Sequence, residues 1–534
     1  MTVFVAIIGL LLATVFVAAI GERTGLPWPA LLTIIVAPVL FIPGIETVRL
    51  DTHLILPIFL PPLLWSLARR TSWGMIRAQV HVVLVMSVVL VFLTIAALTA
   101  TAMWLMPGIG LAAAMVLAAA IAPPDPVAVD AVAGSAGIPK RITGTLQIEG
   151  LFNDAASIVA FNVALTALVA GGEVEFGGGA LEFLYSATVA VIIGLVVGRL
   201  AALFVSRVHD SVIRTAFTWV LPFAIFIAAE EIHASGVIAI VIAAVEMSSR
   251  APFTAEDRLS GHSFWETVEL LFTGVAFGLI GMSVREGIDD AGTMVWEAVG
   301  IGLVLSIVAF AVRFACMWVL YMIKKRLNRR DVAPLRMQEV LLMTWAGMRG
   351  LVTLALVLSI PAGTTQYQHE LSVIALSVLT FTMVIPGLLL PWLVGKLNLD
   401  AGPDANGDKV NAELNDRAYT AARRAVQERG SELAPESYAM VQEWLGVLAE
   451  RRTSDPEGAK ERRQALARAR TAAAEMQQVA LEAATAELQK ARVERRYNPA
   501  DVDAVLDELD RIAIASERSA LASPQQVIGR KQED

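Results

Sequence analysis

Long apolar runs alternate with short polar segments over roughly the first 400 residues of the chain. A membrane-spanning helix needs roughly 20 mostly apolar residues, and about thirteen runs come close to that requirement. They lie near residues 2–20, 26–43, 52–68, 78–106, 109–133, 145–169, 179–205, 215–231, 235–248, 266–284, 294–323, 338–360 and 371–396. The pattern predicts an all-α polytopic membrane protein embedded in a lipid bilayer.

Basic residues between these runs fall into every second loop, and Lys and Arg collect on the cytoplasmic side of membrane proteins. The odd-numbered loops contain Arg23, Arg69, Arg70, Arg77, Lys140, Arg141, Arg207, Arg214, Arg250, Arg258, Lys324, Lys325, Arg326, Arg329, Arg330 and Arg336. The even-numbered loops contain Arg49, Arg285 and acidic residues such as Glu173, Glu175, Asp289 and Asp290. This alternation predicts thirteen spans in the plasma membrane, with the N-terminus outside and the C-terminus in the cytoplasm.

Composition divides the chain into two parts. Of its 534 residues, 56% are hydrophobic and only 17% are charged, whereas a soluble protein carries about 25% charged residues. The charges are sparse before residue 400, and beyond a breaker-rich linker they become dense in Ala/Glu/Arg-rich stretches with helical spacing. We therefore predict a transmembrane domain over 1–399 and a cytoplasmic helical tail over 400–534. The tail serves either as a solvated bundle or dimer contact, or in regulation.

Several classes of function lack their sequence signals. The single cysteine, Cys316, rules out a disulfide framework or a cysteine-based metal site. No GxxxxGK[ST] motif supports a nucleotide-driven pump, and no TVGYG filter supports a potassium channel. No nucleophile–base pair points to an enzyme, and nothing indicates a cofactor, a nucleotide or a nucleic acid. A leak-like cation pathway and a membrane-embedded sensor remain as alternatives.

The fifth run contains a carboxylate among prolines. A charge inside a spanning helix costs at least about 2.5–3.5 kcal/mol on insertion scales, so it marks a functional position by default. Pro123, Pro124 and Pro126 remove backbone donors within four residues, so the helix cannot remain intact around Asp125. Freed carbonyls beside a carboxylate suit a dehydrated hard cation. Asp130, nearer the end of this run, is interpreted as a mouth or capping residue.

The sixth run carries Glu149, Asn153 and Asp154 within six residues. Residues four apart share one face of a helix, so Glu149 and Asn153 should lie together, with Asp154 turned about 100° from Asn153. Three polar groups on an apolar helix must reach a cavity or find partners.

Two arginines stand in the later runs. Arg349 in the twelfth run is bracketed by Gly347 and Gly350. A guanidinium does not lose its proton in a protein and must be paired, so we expect Glu149 to be its counter-ion. Arg313 in the eleventh run is a second buried cation or, alternatively, an interfacial arginine that reaches the membrane surface.

The fifth and twelfth runs are both interrupted, and they lie seven helices apart. An odd offset gives them opposite orientations, which is the signature of two inverted repeats of six helices around a linking seventh. Two broken helices at matching positions indicate a binding site near the middle of the membrane.

These motifs, in this order, resemble those of monovalent cation/proton antiporters of the electroneutral CPA1 type, the bacterial relatives of eukaryotic sodium/proton exchangers. The resemblance covers roughly residues 1–400. It rests on PPLLW at 61–65, PPDPVAV at 123–129, EGLFNDA at 149–155, SGVIAIVIAA at 235–244, FWE at 264–266 and GMRG at 347–350. It implies a homodimer in which one helix bundle moves across the membrane against a dimerisation bundle.

The resemblance also implies roles for individual residues. Asp154 matches the family's cation-binding and proton-carrying carboxylate, and Asp125 matches the acid of the unwound crossing helix. The buried network that holds the site matches Glu149, Asn153, Arg349 and, more loosely, Arg313. Pro124 stands where the family often has Thr, and Gly150 where it often has Ser. Only the backbone carbonyls of Pro124 and Gly150 therefore remain as ligands there, which leaves open the selectivity among Na⁺, K⁺ and Li⁺.

A carboxylate that binds either a proton or a cation provides exchange without ATP, if its cavity opens to one side of the membrane at a time. Asn153 is neutral and Glu149 is expected to stay ionised in an ion pair, so one proton leaves for each monovalent cation bound. The sequence therefore predicts electroneutral exchange of Na⁺ for H⁺, provided that Asp125 keeps a fixed charge. If Asp125 also titrates, the exchange generates a current.

Overall fold

The computed structural model describes residues 2–399, apart from residues 25, 40–51, 72, 126–137, 139, 172–173, 209, 252–254, 328–333, 362 and 398, together with residues 420, 423 and 424. Spatial clustering divides the chain into two units, Met1–Asp404 and Ala405–Asp534. Asp130 and almost all of the tail lie outside the described residues. The roles assigned to the tail and to Asp130 therefore stay predictions.

The described part of the first unit is helical, and we number its α-helices in chain order. They are α1 Thr2–Thr24, α2 Trp28–Val39, α3 Thr52–Ala68, α4 Trp73–Leu84, α5 Leu90–Leu105, α6 Leu111–Ile121, α7 Lys140–Gly150, α8 Asn153–Ala170, α9 Phe176–Arg207, α10 Ser211–Glu230, α11 Gly236–Arg250, α12 Ala255–Ala291, α13 Val295–Arg326, α14 Met337–Trp345, α15 Leu351–Leu358, α16 Gln368–Leu379 and α17 Ile385–Leu397. Short π-helical turns join α4 to α5, over Val85–Val89, and α16 to α17, over Thr380–Val384.

Each predicted run overlaps one of these helices or a consecutive pair of them, and some helices extend beyond the run, as α12 does at both ends. Among the described residues, eight helical segments are long and apolar enough to cross a membrane on their own. Three shorter apolar helices, Trp28–Val39, Ile55–Ala68 and Leu111–Ile121, accompany them. The chain is thus an all-helical membrane protein with multiple spans.

The helices pack as two groups. The first group contains α1–α3 and α9–α12, in which α12 packs on α1, α2 and α3, and α11 packs on α3, α9 and α10. The second group contains α4–α8 and α13–α17, in which α6 packs on α5 and α8, and α13 packs on α5, α14 and α16. The groups meet mainly where α12 contacts α16, and their smaller contacts include those of α8 with α9, of α15 with α3, and of α4 and α8 with α11.

Glycines allow the closest helix contact in the first group. A Cβ atom on Gly194 of α9 would lie 2.8 Å from the Ala239 carbonyl oxygen, and one on Gly198 would lie 2.7 Å from the Ala243 carbonyl oxygen. Small residues at such spacing let two membrane helices approach until their backbones touch. The same contact places Gly198 beside Glu246 of α11.

Three interruptions lie within the second group. Helix α6 ends at Ile121, and residues 122–125 are not helical, as three prolines within four positions require. A second interruption separates α14 from α15 at residues 346–350, which include Gly347 and Gly350. The third, at residues 151–152 between α7 and α8, was not predicted.

Candidate functional site

The two predicted interruptions lie against each other. The Asp125 amide donates to the Met348 carbonyl at 2.6 Å, and Arg349 Nε donates to the Ile121 carbonyl at 3.2 Å. Backbone groups that lack helical partners are thereby satisfied across the contact, which is how broken helices are tolerated inside a membrane protein. Residues more than 200 positions apart in the sequence therefore build one centre.

Gly350 makes this approach possible. A Cβ atom at Gly350 would overlap the Asp125 carboxylate. The Gly350 backbone has φ −147°, which any residue can adopt, so the requirement for glycine is steric. The half-buried Asp125 carboxyl group thus lies directly against the second interruption.

The third interruption is followed directly by Asn153 and Asp154, which contribute a side-chain amide and a second carboxyl group to the site. Helix α8 begins at Asn153, whose Nδ2 donates to the Pro124 carbonyl at 2.6 Å. One turn further along α8, Ser157 Oγ donates to the Ala119 carbonyl at 2.5 Å. These two hydrogen bonds attach the start of α8 to the end of α6 and its non-helical continuation. Because the chain turns at Leu151 and Phe152, the prediction that Glu149 and Asn153 share one face of a continuous helix was wrong.

Asp154 lies in the first turn of α8 and is only 4% exposed. Within the described part of the chain, its carboxyl group makes no hydrogen bond and no ion pair, although it interacts electrostatically with Asp125. The neighbouring Asn153 Oδ1 is buried without a hydrogen-bond partner among the described residues. A buried polar group left unsatisfied costs about 1–3 kcal/mol, so such groups need an explanation, often an ion or a water. Asp154 and Asn153 therefore each carry a buried side-chain oxygen without a hydrogen-bond partner among the described residues.

Glu149 has a different partner from the one predicted. Arg313 of α13 donates from Nη1 to Oε1 at 2.5 Å and from Nη2 to Oε2 at 2.8 Å. Its Nε donates to the Met343 carbonyl at 2.9 Å. Arg313 is 3% exposed, so the alternative of an interfacial arginine was also wrong.

The predicted pair of Glu149 with Arg349 was wrong because backbone carbonyls at the interruptions accept the Arg349 hydrogen bonds instead. Besides Ile121, the Gly347 carbonyl accepts from Arg349 Nη1 at 2.7 Å. The guanidinium carbon lies 5.9 Å from the centroid of the Phe310 ring. Within the described residues, no carboxylate lies within ion-pair distance of Arg349. Arg349 thus joins the two broken helices.

Sequence reasoning missed Ser87, which lies in the first π-helical turn and is 1% exposed. Its Oγ donates to the Glu149 carbonyl oxygen at 2.9 Å, directly before the turn that leads to Asn153. A π-turn inserts one residue into a helix and is frequent at functional sites. The sequence of this apolar run carries no signal of the insertion.

Comparison of the sequence with models of protein families identifies the family to which this chain belongs. A sequence model described as "Sodium/hydrogen exchanger, transmembrane" matches residues 1–396. The chain belongs to the sodium/hydrogen exchanger family. It is therefore a multi-pass membrane transporter and not an enzyme, and the family predicted from the motifs is confirmed.

Individual relatives agree with this sodium/hydrogen exchanger assignment. The chain is 29% identical over 420 residues to the uncharacterized Na⁺/H⁺ exchanger YjcE of Escherichia coli, covering 73% of this chain and 75% of that protein. It is 26% identical over 408 residues to the Na⁺/H⁺ antiporter ApNhaP of Aphanothece halophytica, covering 76% and 74%. The solved structure of the sodium proton antiporter MjNhaP1 from Methanocaldococcus jannaschii matches with a TM-score of 0.56 at 18% identity, covering 74% of this exchanger and 99% of that chain. The structural match shows a shared fold.

Among the described residues of this exchanger, no cluster of three or more His, Cys, Asp or Glu side chains could hold a resident metal ion. The oxygens at the centre instead come from two carboxyl groups, one side-chain amide and nearby carbonyls. Such a set suits a hard cation that is bound as cargo and released. The roles of Pro124 and Gly150 as carbonyl ligands stay predictions, and the Pro124 carbonyl already accepts one hydrogen bond.

Proposed function

We propose that this exchanger is a secondary active antiporter that trades Na⁺ for H⁺, one for one, with Asp154 binding either ion. Li⁺ and K⁺ are the further candidate substrates. A Bacillus subtilis relative, 31% identical over 366 residues, is named a sodium, potassium, lithium and rubidium/H⁺ antiporter, which supports testing all of these cations.

The observation that carries the proposal is the state of Asp154. It is buried, makes no hydrogen bond within the described chain, and follows Asn153 in sequence, whose Oδ1 is also buried without a hydrogen-bond partner among the described residues. Because protonation removes the charge that attracts a cation, a proton and a cation are mutually exclusive occupants of the Asp154 carboxyl group. Competition for one site couples the two fluxes without ATP, provided that the site opens to one side at a time.

The charge count supports electroneutral exchange. Arg313 neutralises Glu149 through two hydrogen bonds, so Glu149 is not a second proton carrier in the proposed cycle. Asp125 lies against the second interruption and acts as a fixed charge beside the cation. Each turn of the cycle then moves one positive charge in each direction. Solid-supported-membrane recordings test this count, because a sustained transport current would require Asp125 to titrate as well.

The two helix groups support alternating access by an elevator-like motion. All three interruptions lie in the second group, which we propose to carry the ion, while the first group stays fixed as a dimerisation bundle. The grouping of α1–α3 with α10–α12, and of α4–α8 with α13–α17, is what two inverted repeats of six spans around a seventh span, α9, would produce. We place thirteen spans in the plasma membrane of a homodimer that contributes to pH homeostasis, with the N-terminus outside and the C-terminus in the cytoplasm.

Purified full-length protein in proteoliposomes tests the proposed exchange. The vesicles carry a pH-sensitive dye and an imposed proton gradient, and Na⁺, Li⁺ and K⁺ are added in turn. Cation-dependent dequenching that persists when the membrane potential is clamped at zero is the expected result. Dequenching that requires a membrane potential would indicate a cation leak pathway instead.

A further inference from the structure

Glu246 of α11 is a buried carboxylate that lies outside the exchange centre. Its side chain is 3% exposed. Trp73 Nε1 donates to Oε2 at 2.8 Å, while Arg199 Nε and Arg250 Nε donate to Oε1 at 2.9 and 2.6 Å. One carboxylate thus holds two arginines, so the cluster retains a net positive charge.

Both arginines use only Nε for this contact. Because the two bonds end on the same oxygen, the two Nε atoms lie within two hydrogen-bond lengths of each other. The Arg199 and Arg250 side chains are 61% and 54% exposed, and their Nη groups make no hydrogen bond within the described residues. Two neighbouring guanidinium groups with free donors are suited to binding an oxyanion such as phosphate.

The surroundings of Arg199 favour an oxyanion that carries acyl chains. On α9, the residues Val196, Leu200 and Leu203 are 52%, 60% and 47% exposed, so apolar surface flanks the arginine. Helix α9 has 32 residues, which at about 1.5 Å per residue gives about 48 Å. The hydrocarbon core is only about 30 Å thick. Arg199 lies eight residues before the end of this helix, or about 12 Å, so its Cα lies near the edge of the hydrocarbon core, and an arginine side chain is long enough to bring the guanidinium to the headgroup region.

We infer that Arg199 and Arg250 form a binding site for the phosphate of an anionic phospholipid, with Glu246 holding the two guanidinium groups together. Basic side chains between membrane helices recognise anionic headgroups in this way. The site also touches the second helix group, because Trp73 is the first residue of α4. A bound lipid therefore lies at a junction between the two groups. This inference does not depend on the proposed ion exchange.

Native mass spectrometry of the full-length protein tests the site with palmitoyl-oleoyl phosphatidylglycerol and phosphatidylcholine at matched concentrations. The informative variant is Arg199→Lys with Arg250→Lys, which keeps the charges opposite Glu246 but removes the guanidinium donors. Arg207→Lys is the matched control, because Arg207 is exposed at the end of the same helix. Arg199→Lys alone replaces the double variant if the latter fails to fold.

The unmodified protein and Arg207→Lys should bind phosphatidylglycerol about tenfold more tightly than phosphatidylcholine. A tenfold difference in affinity is what one additional charge-assisted hydrogen bond to the lipid would provide. The double variant, or Arg199→Lys in its place, should lose most of this preference. Equal binding of the two lipids by the unmodified protein, or an unchanged preference in the lysine variant, would overturn the inference. Inorganic phosphate that displaces phosphatidylglycerol at millimolar concentration would overturn the assignment to a lipid.

Discussion

Arg313 binds Glu149 through both carboxylate oxygens, at 2.5 and 2.8 Å, although 164 residues separate the two in sequence. Both side chains are at most 3% exposed. The pair fixes the end of α7 just before the turn that leads to Asp154, and in the proposed mechanism it keeps Glu149 from binding the cation. In the proposed mechanism, Asp154, Asp125 and Asn153 then remain as the side chains of the exchange centre.

Breaking this pair from one side should destabilise the protein. Glu149→Gln leaves the Arg313 charge buried without its counter-ion, which typically costs about 3–5 kcal/mol. We expect a lower unfolding temperature for the detergent-purified protein, whereas Glu297→Gln, at an exposed position in α13, should behave like the unmodified protein. The paired change Glu149→Leu with Arg313→Met should recover part of the loss. An unchanged unfolding temperature for Glu149→Gln would refute the role of the pair.

Gly350→Ala should abolish exchange, because the added methyl group would overlap the Asp125 carboxylate. The methyl group would push the two interruptions apart, and such overpacking should lower the free energy of unfolding by about 1–3 kcal/mol or more. Gly300→Ala is the control, since no heavy atom lies within 4 Å of the added Cβ there. Dye dequenching and thermal unfolding are measured on both variants. Normal exchange by Gly350→Ala would show that the close contact with Asp125 is not needed.

Ser87→Ala should weaken the apparent affinity for the transported cation more than it lowers the maximal rate. Its hydroxyl group donates to the Glu149 carbonyl and so supports the turn before Asn153. A hydrogen bond worth about 1 kcal/mol corresponds to about a fivefold change in affinity. Ser87→Thr, which keeps the hydroxyl, should restore most of the affinity.

Thr94→Ala provides the control for Ser87→Ala. Thr94 is also buried in the fourth predicted run, but its hydroxyl donates within its own helix, to Leu90. Equal effects of Ser87→Ala and Thr94→Ala on the cation affinity would assign Ser87 a merely structural role.

The predicted interruptions could be recognised from the sequence because their causes are local. Three prolines within four residues remove backbone donors and clash with preceding carbonyls, and the glycines on either side of Arg349 leave room for the Arg313 and Asp125 side chains. The counter-ion of Glu149 could not be predicted from the local sequence in the same way. Two buried arginines were available to Glu149, and only the packing of α13 against its neighbours brings Arg313 to it.

The turn at Leu151–Phe152 and the π-turn at Val85–Val89 were missed for a related reason. Gly150 is the only helix-weakening residue near the first, and the second lies in an apolar run without proline or glycine. Both depend on contacts between distant helices, such as the hydrogen bond from Ser87 to the Glu149 carbonyl. Tertiary packing therefore determines these two turns, whereas the length of the apolar runs was enough to predict where the helices lie.

The orientation in the membrane can be tested at the two ends of α13. After replacement of Cys316 by serine, we expect Thr293→Cys to react with a membrane-impermeant maleimide in intact cells. Leu327→Cys, which replaces a 62% exposed side chain just beyond α13, should react only after the cells are permeabilised. Reaction of Leu327→Cys in intact cells would contradict the proposed topology, and labelling of both variants in permeabilised cells is the control.

The central claim is that Asp154 carries the proton and the cation in turn. Asp154→Asn keeps the volume of the side chain but removes its ability to exchange the two ions, and Asp125→Asn should be similarly inactive. The decisive measurement is Na⁺-dependent proton flux in proteoliposomes containing Asp154→Asn whose thermal unfolding matches that of the unmodified protein. We expect no flux above that of empty liposomes. Flux comparable to that of the unmodified protein would contradict the assignment of the exchange to Asp154.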